Sequence, residues 1–345
     1  MTVRCQDVRL SGYTTLRLGG PARTFVEVTT EDELIAEVRA AELAGDPVLI
    51  LGGGSNLVIS DAGFPGTVIH VSTRGVTVED GLVTAQAGED WDAFVARCVR
   101  EGLSGVECLS GIPGRVGSTP IQNVGAYGQD VSETITEVRA YDRRTGEILT
   151  IPAADCGFTY RHSVFKGDDR YVVLAVTFRL AASPDSAPIK YAELARALGV
   201  EPGGTVPLQD ARDAVLALRS GKGMVLDAAD PDTRSAGSFF TNPILDERQL
   251  KEFADRAEGF PAFPEPDGRT KTSAAWLIDH AGFPKGHANG PVRISTKHTL
   301  ALTNPTEEAT TEELLALARE VRDGVRAAFG ITLVNEPVFV GVTLG

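Results

Sequence analysis

The chain has 345 residues, 42% of them hydrophobic and 23% charged, with 37 glycines and a formal net charge of −14. That length and apolar content suffice for two or three domains with cores of their own and exclude a disordered chain. The acidic balance disfavours a nucleic-acid binder, and it means that a phosphate-bearing ligand would need cations supplied locally by its site.

In chain order, residues 31–44 carry Leu34, Ile35, Val38 and Leu43 at helical spacing behind a run of acids, with Gly45 as a stop. PVLIL (47–51) reads as a buried strand, followed by GGGSN (52–56) and a second strand, LVIS (57–60). Short β segments follow at 66–71, 75–80 and 82–88, and WDAFVARCVREG (91–102) reads as a helix. Residues 109–128 have no clean period and read as a long structured loop. Residues 135–143 and 171–180 are strong strands, and ASPDSAP (182–188) marks a linker or domain edge. Helical patterns then occupy 207–221, 246–259, 273–282 and 306–330, with short β runs VRIS and TLALTN between them and a final β pair over 331–342. This order predicts an α+β first region over 1–185 in two lobes, a smaller α/β domain over 205–330, and a C-terminal β segment over 331–345.

The cysteines are Cys5, Cys98, Cys108 and Cys156. They form no CxxC pair, and the five histidines, His162 among them, show no HxxH or HxxxH spacing. No metal is expected, and the thiols read as reduced. The N-terminus has no apolar signal core, and no run reaches the roughly 18 apolar residues of a membrane span, so a cytoplasmic location is expected.

Gly52, Gly53, Gly54, Ser55 and Asn56 form the sharpest local signal, because glycines after a buried strand let backbone amides face a phosphate. A P-loop would need a Lys here, and a Rossmann fingerprint would lead into a helix rather than a strand. A structural turn remains open on this loop alone. The second loop adds Ser110, Gly111, Gly114, Gly117, Ser118, Thr119, Gln122, Asn123, Gly125, Ala126 and Tyr127, many hydrogen-bonding groups among repeated glycines. Two such loops suggest a large polar ligand with a pyrophosphate, such as FAD.

The ordered set TLRLGGPA (15–22), LGGGSNLVISD (51–61), SGIPGRVGSTPIQNVGAYG (110–128), FTYRHSVFK (158–166), AGSFFTNP (236–243), AAWLID (274–279) and NEPVFVG (335–341) closely resembles the UDP-N-acetylenolpyruvoylglucosamine reductase (MurB) family over nearly the whole chain. The resemblance implies a vanillyl-alcohol-oxidase/PCMH-type FAD-binding domain followed by a substrate domain. It also implies reduction of the enolpyruvyl group of a UDP-sugar, in bacterial cell-wall precursor synthesis, with NADPH as hydride donor. By the same resemblance, Ser238 is the proton donor, and Arg161 and Glu336 are catalytic. Tyr191 matches the tyrosine that closes over the UDP moiety in one subgroup of the family, and Lys222 and Asn242 match positions associated with the substrate or nicotinamide phosphates. Neither glycine loop offers an attachment point, so FAD should be non-covalent. One departure is the longer stretch between Lys222 and Ser238, which leaves the position of Lys222 less defined. From the loops alone, a flavin oxidase or a non-catalytic flavin-binding module also remains open. The oxidase does not explain AGSFFTNP together with NEPVFV, and the module has no need of Arg161, Ser238 and Glu336 together.

Overall fold

The computed structural model describes residues 4–345. The chain falls into two compact units, each assembled from separate stretches. The first comprises residues up to Val8, Ala22–Gly53 and Pro65–Gly221, and the second Arg9–Pro21, Gly54–Phe64 and Lys222–Gly345. Both units mix helices and sheets, so the α+β expectation holds.

In the first unit, α1 (Glu31–Leu43) starts where the Thr30 hydroxyl accepts from Glu33 N, and three acids in its first turn face the positive helix end. Its Leu34, Ile35 and Val38 join a core with Trp91, Phe94 and Val95 of α2 (Trp91–Arg100) and with Val172, Leu174, Val176 and Phe178. These last four lie on Tyr171–Arg179, the middle strand of a five-stranded antiparallel sheet. A second, four-stranded sheet holds Val48–Leu51 parallel to Phe64–Val71. Its strand Arg4–Arg9 is not visible as a sequence pattern, because five of its six residues are exposed and it carries no apolar alternation.

Residues 182–221, which span the expected domain edge and the start of the expected second domain, lie with the first unit. The reason is apolar burial. Ile189, α3 (Ala192–Leu198) and α4 (Leu208–Gly221) pack Leu194, Ala195, Ala211 and Val215 around Cys108. Arg212 also grips Asp92 through two hydrogen bonds of 2.8 Å.

In the second unit, an antiparallel sheet runs Ser235–Ser238, Ala301–Thr303, Val292–Ile294, Ala288–Asn289. α5 (Glu247–Ala254), α6 (Ala274–His280) and α7 (Thr311–Phe329) accompany it. The helical pattern at 306–330 begins only at Thr311, because the capping box of Thr310 and Glu313 fixes the start there. The expected β pair at 331–342 does not form. Residues 331–334 are not a strand, and Val338–Val340 instead pairs in parallel with Leu57–Ile59. A hairpin would need its two halves adjacent in register. Here the chain end completes the strand that leaves the first glycine loop.

All four cysteines are free thiols. Burial pushes the Cys98 and Cys108 thiols up to about 12 and Cys156 to about 11, whereas Cys5 is exposed. A thiolate-selective reagent at pH 8 should therefore label about one thiol in the folded protein and all four after denaturation. Rapid labelling of two or more in the native protein would contradict this burial.

Candidate active site

The two glycine loops meet in the first unit. A Cβ built on Gly53 would lie 2.8 Å from the Gly114 Cα, so backbone packs on backbone and no side chain fits. The second loop is laid along residues 87–91 by Trp91 N to Gly114 O (3.1 Å), Val116 N to Glu89 O (2.9 Å) and Gly117 N to Ala87 O (2.9 Å). Asp92 holds the loop's entry by accepting from Gly111 N at 2.6 Å. Burial pushes the Asp92 carboxyl up, but the hydrogen bonds from Arg212 and Gly111 outweigh it and leave the group below its ordinary value. Gly54 belongs to the second unit; it has φ +59°, and a Cβ there would overlap the Tyr13 carbonyl. Its own carbonyl accepts from Thr15 N at 3.2 Å, which ties TLRLGG to the loop.

Much of the second loop's side-chain chemistry is turned inward. Ser110 Oγ donates to Glu107 O (2.6 Å), Thr119 Oγ1 to Val116 O (2.8 Å), and Asn123 Nδ2 to Thr159 O (3.1 Å). Gln122 Oε1 accepts from Lys166 Nζ at 3.5 Å. What the loop offers a ligand is therefore chiefly backbone. Arg115, which the sequence reading did not single out, lays its stem over Gly52, where a Cβ would meet its Cγ at 3.5 Å. Its Nε is buried and has no hydrogen-bond partner among the described residues. Burial first, and then the nearby Arg74, lower its pKa. The Arg115 Nη1 lies 3.9 Å from Asp90 Oδ2, and a buried Nε left without an acceptor beside a glycine cradle fits a pyrophosphate. The signal in the sequence was a lone Arg inside GIPGRVGS.

Arg161 is gathered into the same unit. It sits at φ +54°, a costly conformation for an arginine and one that the surrounding structure must hold in place. Its Nη2 donates to Gly125 O (2.7 Å) and its Nη1 to Asn123 O (3.4 Å), with Asp130 Oδ1 at 3.8 Å. Lys166 Nζ, at the end of FTYRHSVFK, donates to Arg161 O at 3.0 Å. Gly125–Ala126 pairs with Gln129–Asp130 in a two-stranded hairpin, and Tyr127 in its turn meets Tyr191 edge to face at 5.6 Å. Tyr191 is 47% exposed. Arg219, buried in the last turn of α4, has Tyr127 and Asp92 as electrostatic neighbours, and burial lowers its pKa to about 10. His162 is exposed and bridges Thr159 through backbone alone.

The second unit assembles Ser238 and Glu336. Ser238 pairs with Ala301, and a register shift between Ser235 and Ser238 marks a bulge of the kind that re-aims a side chain. Thr15 Oγ1 donates to Ser235 O at 2.6 Å, and Phe239 N to Leu300 O at 2.7 Å. Phe239 and Phe240 are both buried, each contributing about 1.5–3 kcal/mol of anchoring to the partly exposed serine. Glu336 N donates to Phe239 O at 2.9 Å, which puts the glutamate across from the residue after Ser238. Asn242 Oδ1 accepts from Ala274 N at 2.9 Å at the start of α6. Lys222 follows α4 directly. The long stretch after it is a folded structure. Asp232 is buried against Gly223 and accepts from Thr296 N (3.1 Å), Thr296 Oγ1 (2.5 Å) and Arg293 Nη2 (3.5 Å). The first unit thus holds Gly52, Gly53, residues 110–127, Arg161 and Tyr191; the second holds Gly54, Ser55, Asn56, Lys222, Ser238, Asn242 and Glu336.

Residues 22–152, which carry both glycine loops, match the family model of the FAD binding domain, so the chain is a flavin-binding protein of the oxidoreductase class. Residues 230–340 match the model of the UDP-N-acetylenolpyruvoylglucosamine reductase C-terminal domain. The chain belongs to the UDP-N-acetylenolpyruvoylglucosamine reductase family. It is 62% identical to the enzyme of that name from Thermobifida fusca, over 98% of this chain and 98% of that one. It is also 62% identical to the Streptomyces avermitilis enzyme, over 98% and 95%. The crystal structure of the Thermus caldophilus enzyme superposes with a TM-score of 0.69 at 26% identity, covering 99% of each chain.

Gly53→Ala forces Cβ into the Gly114 backbone. It should cost about 1–3 kcal/mol of stability by overpacking and lower the flavin bound per purified protein, read from the visible-to-ultraviolet absorbance ratio. A variant with wild-type melting temperature and flavin content would contradict the loop-on-loop reading.

Proposed function

We propose that the chain reduces the enolpyruvyl double bond of UDP-N-acetylglucosamine enolpyruvate to give UDP-N-acetylmuramate, a peptidoglycan precursor, with NADPH as the hydride source and non-covalent FAD. The observation that carries this reading is the pairing of AGSFFTNP with NEPVFVG, in which Glu336 N reaches Phe239 O at 2.9 Å beside Ser238. Bound FAD would supply hydride transfer, from the nicotinamide to the terminal enolpyruvyl carbon. Backbone of residues 52–56 and 110–127, with Arg115, would hold the dinucleotide. No His or Cys lies in either loop, which supports non-covalent binding.

Hydride addition at the terminal carbon leaves negative charge on the carbon next to the carboxylate, and that charge needs stabilisation and a proton. In this reading Ser238 Oγ gives the proton. A serine hydroxyl is a weak acid, but an enolate carbon is basic enough to take it. Arg161 would bind the substrate carboxylate, where a planar guanidinium matches both oxygens. Its carbonyl partners Gly125 and Asn123 fix the side chain, with the Asp130 carboxylate 3.8 Å away. Glu336 would polarise the intermediate or relay the proton. Tyr191 would close over the UDP moiety, and Lys222 and Asn242 would contact the diphosphate, with Lys222 supplying local positive charge in a chain of net charge −14. The segment 205–330 is assigned to substrate binding, and 331–345 to delivering Glu336.

Ser238→Ala should retain FAD and reduce it with NADPH within about threefold of the wild-type rate, while reoxidation by the UDP-sugar slows by about 10²–10⁴-fold, the usual size of a general-acid contribution. Equal slowing of both half-reactions would remove the assigned role. Arg161→Lys keeps the charge but loses the fork, so kcat/KM should fall by about ten- to a hundredfold, the cost of one strong charge-assisted hydrogen bond. Unchanged turnover would exclude Arg161 from carboxylate binding.

A further inference from the structure

Glu107 is fully buried, at 0% exposure, and none of its hydrogen bonds comes from a cation. Its Oε2 accepts from Gly105 N at 2.6 Å. Its Oε1 accepts from Ala187 N at 2.7 Å and from Gln129 Nε2 at 3.1 Å. Leaving a carboxylate in the core is costly, and it is tolerated when several donors converge on it. Here the donors come from three separate stretches of chain. Gln129, itself 4% exposed, returns its Oε1 to Cys108 N at 2.9 Å, so carboxylate and amide lock each other's orientation.

Two of these stretches lead to residues assigned to the substrate. Gln129 pairs with Ala126, and its neighbour Asp130 with Gly125, in the hairpin whose Gly125 carbonyl and Asp130 carboxylate face the Arg161 guanidinium. Ala187 opens the segment that runs to Lys190 and Tyr191. A Cβ on Gly128 at the hairpin turn would meet the Lys190 Cβ at 2.9 Å, and Tyr127 and Tyr191 touch edge to face. Hairpin and segment are thus held together at one end by Glu107 and at the other by Tyr127, Gly128, Lys190 and Tyr191. We propose that Glu107 is a positioning residue, which fixes the Arg161-bearing hairpin and the Tyr191 segment against each other and so sets affinity for the enolpyruvyl substrate. The proposal rests on the reading of Arg161 and Tyr191 given above.

Glu107→Gln keeps the volume but replaces one acceptor oxygen with a donor, which cannot serve both Gln129 Nε2 and the two amides. In the flavin-loaded enzyme, KM for UDP-N-acetylglucosamine enolpyruvate should rise about tenfold or more, equivalent to the loss of one net hydrogen bond's worth of positioning. The rate of flavin reduction by NADPH should stay within about threefold. Gln129→Met removes the amide bridge and leaves Glu107 its two backbone donors, so it serves where Glu107→Gln folds poorly, and it should shift KM in the same direction by a smaller factor. Tyr191→Phe calibrates the readout. If Tyr191→Phe raises KM and neither Glu107→Gln nor Gln129→Met does, the positioning role is overturned alone. If Tyr191→Phe leaves KM unchanged, the substrate assignment fails and the positioning role falls with it. A Glu107 variant that slows both half-reactions equally with KM unaltered is a stability effect and also overturns it.

Discussion

The approach of Gly53 to Gly114, backbone against backbone, sets how the two glycine loops lie in the first unit. It leaves no room for a Cβ at position 53, and it joins the turn after a parallel strand to a loop that runs to the Gly125–Ala126 hairpin strand. The second loop is then held on its other side by Trp91 N, Val116 N and Gly117 N and at its entry by Asp92. Once the loop path is set, Asn123 and Gly125 present the carbonyls that hold Arg161, and the hairpin turn carries Tyr127. Cofactor cradle and cationic group are thus consequences of one packing event between two glycine-rich segments.

The second unit relies on a different device. The strand ending at Ser238 is fixed by partners from three distant parts of the chain, through Thr15, Leu300 and Glu336. The C-terminal strand Val338–Val340 reaches its place by adding in parallel to Leu57–Ile59, directly after the first glycine loop. Long-range pairing of this kind orders groups that are more than 200 residues apart. It also explains why the N-terminal TLRLGG motif belongs with the C-terminal half, since Gly20 N donates to Ser60 O at 2.9 Å and Asn304 Nδ2 to Leu16 O at 3.2 Å.

Local patterns in the sequence foretold the helices well, because acids, caps and apolar spacing act within a few residues. Thr30, Asp90 and Ser273 all cap helices through their side chains. The glycine loops were legible as loops. Their internal hydrogen bonding was not, and neither spacing nor composition separates a serine that faces a ligand from Ser110, whose hydroxyl closes on Glu107 O. The exposed strand Arg4–Arg9 left no periodic trace, and the parallel partner of Val338–Val340 lies too far along the chain for any local rule. Arg161, Ser238 and Glu336 were found through the resemblance of their motifs. Glu107 and Arg115 emerged only from burial and hydrogen-bond accounting, because an isolated Glu or Arg in a loop carries no pattern.

In the proposed reaction one flavin passes hydride from NADPH to an enolpyruvyl UDP-sugar. The most direct measurement is an anaerobic absorbance titration of the purified protein with NADPH and then with UDP-N-acetylglucosamine enolpyruvate. The expected result is an oxidised flavin spectrum that bleaches with NADPH and returns stoichiometrically when the UDP-sugar is added. A flavin that bleaches, ignores the UDP-sugar and recolours only in oxygen would contradict it and point to an oxidase.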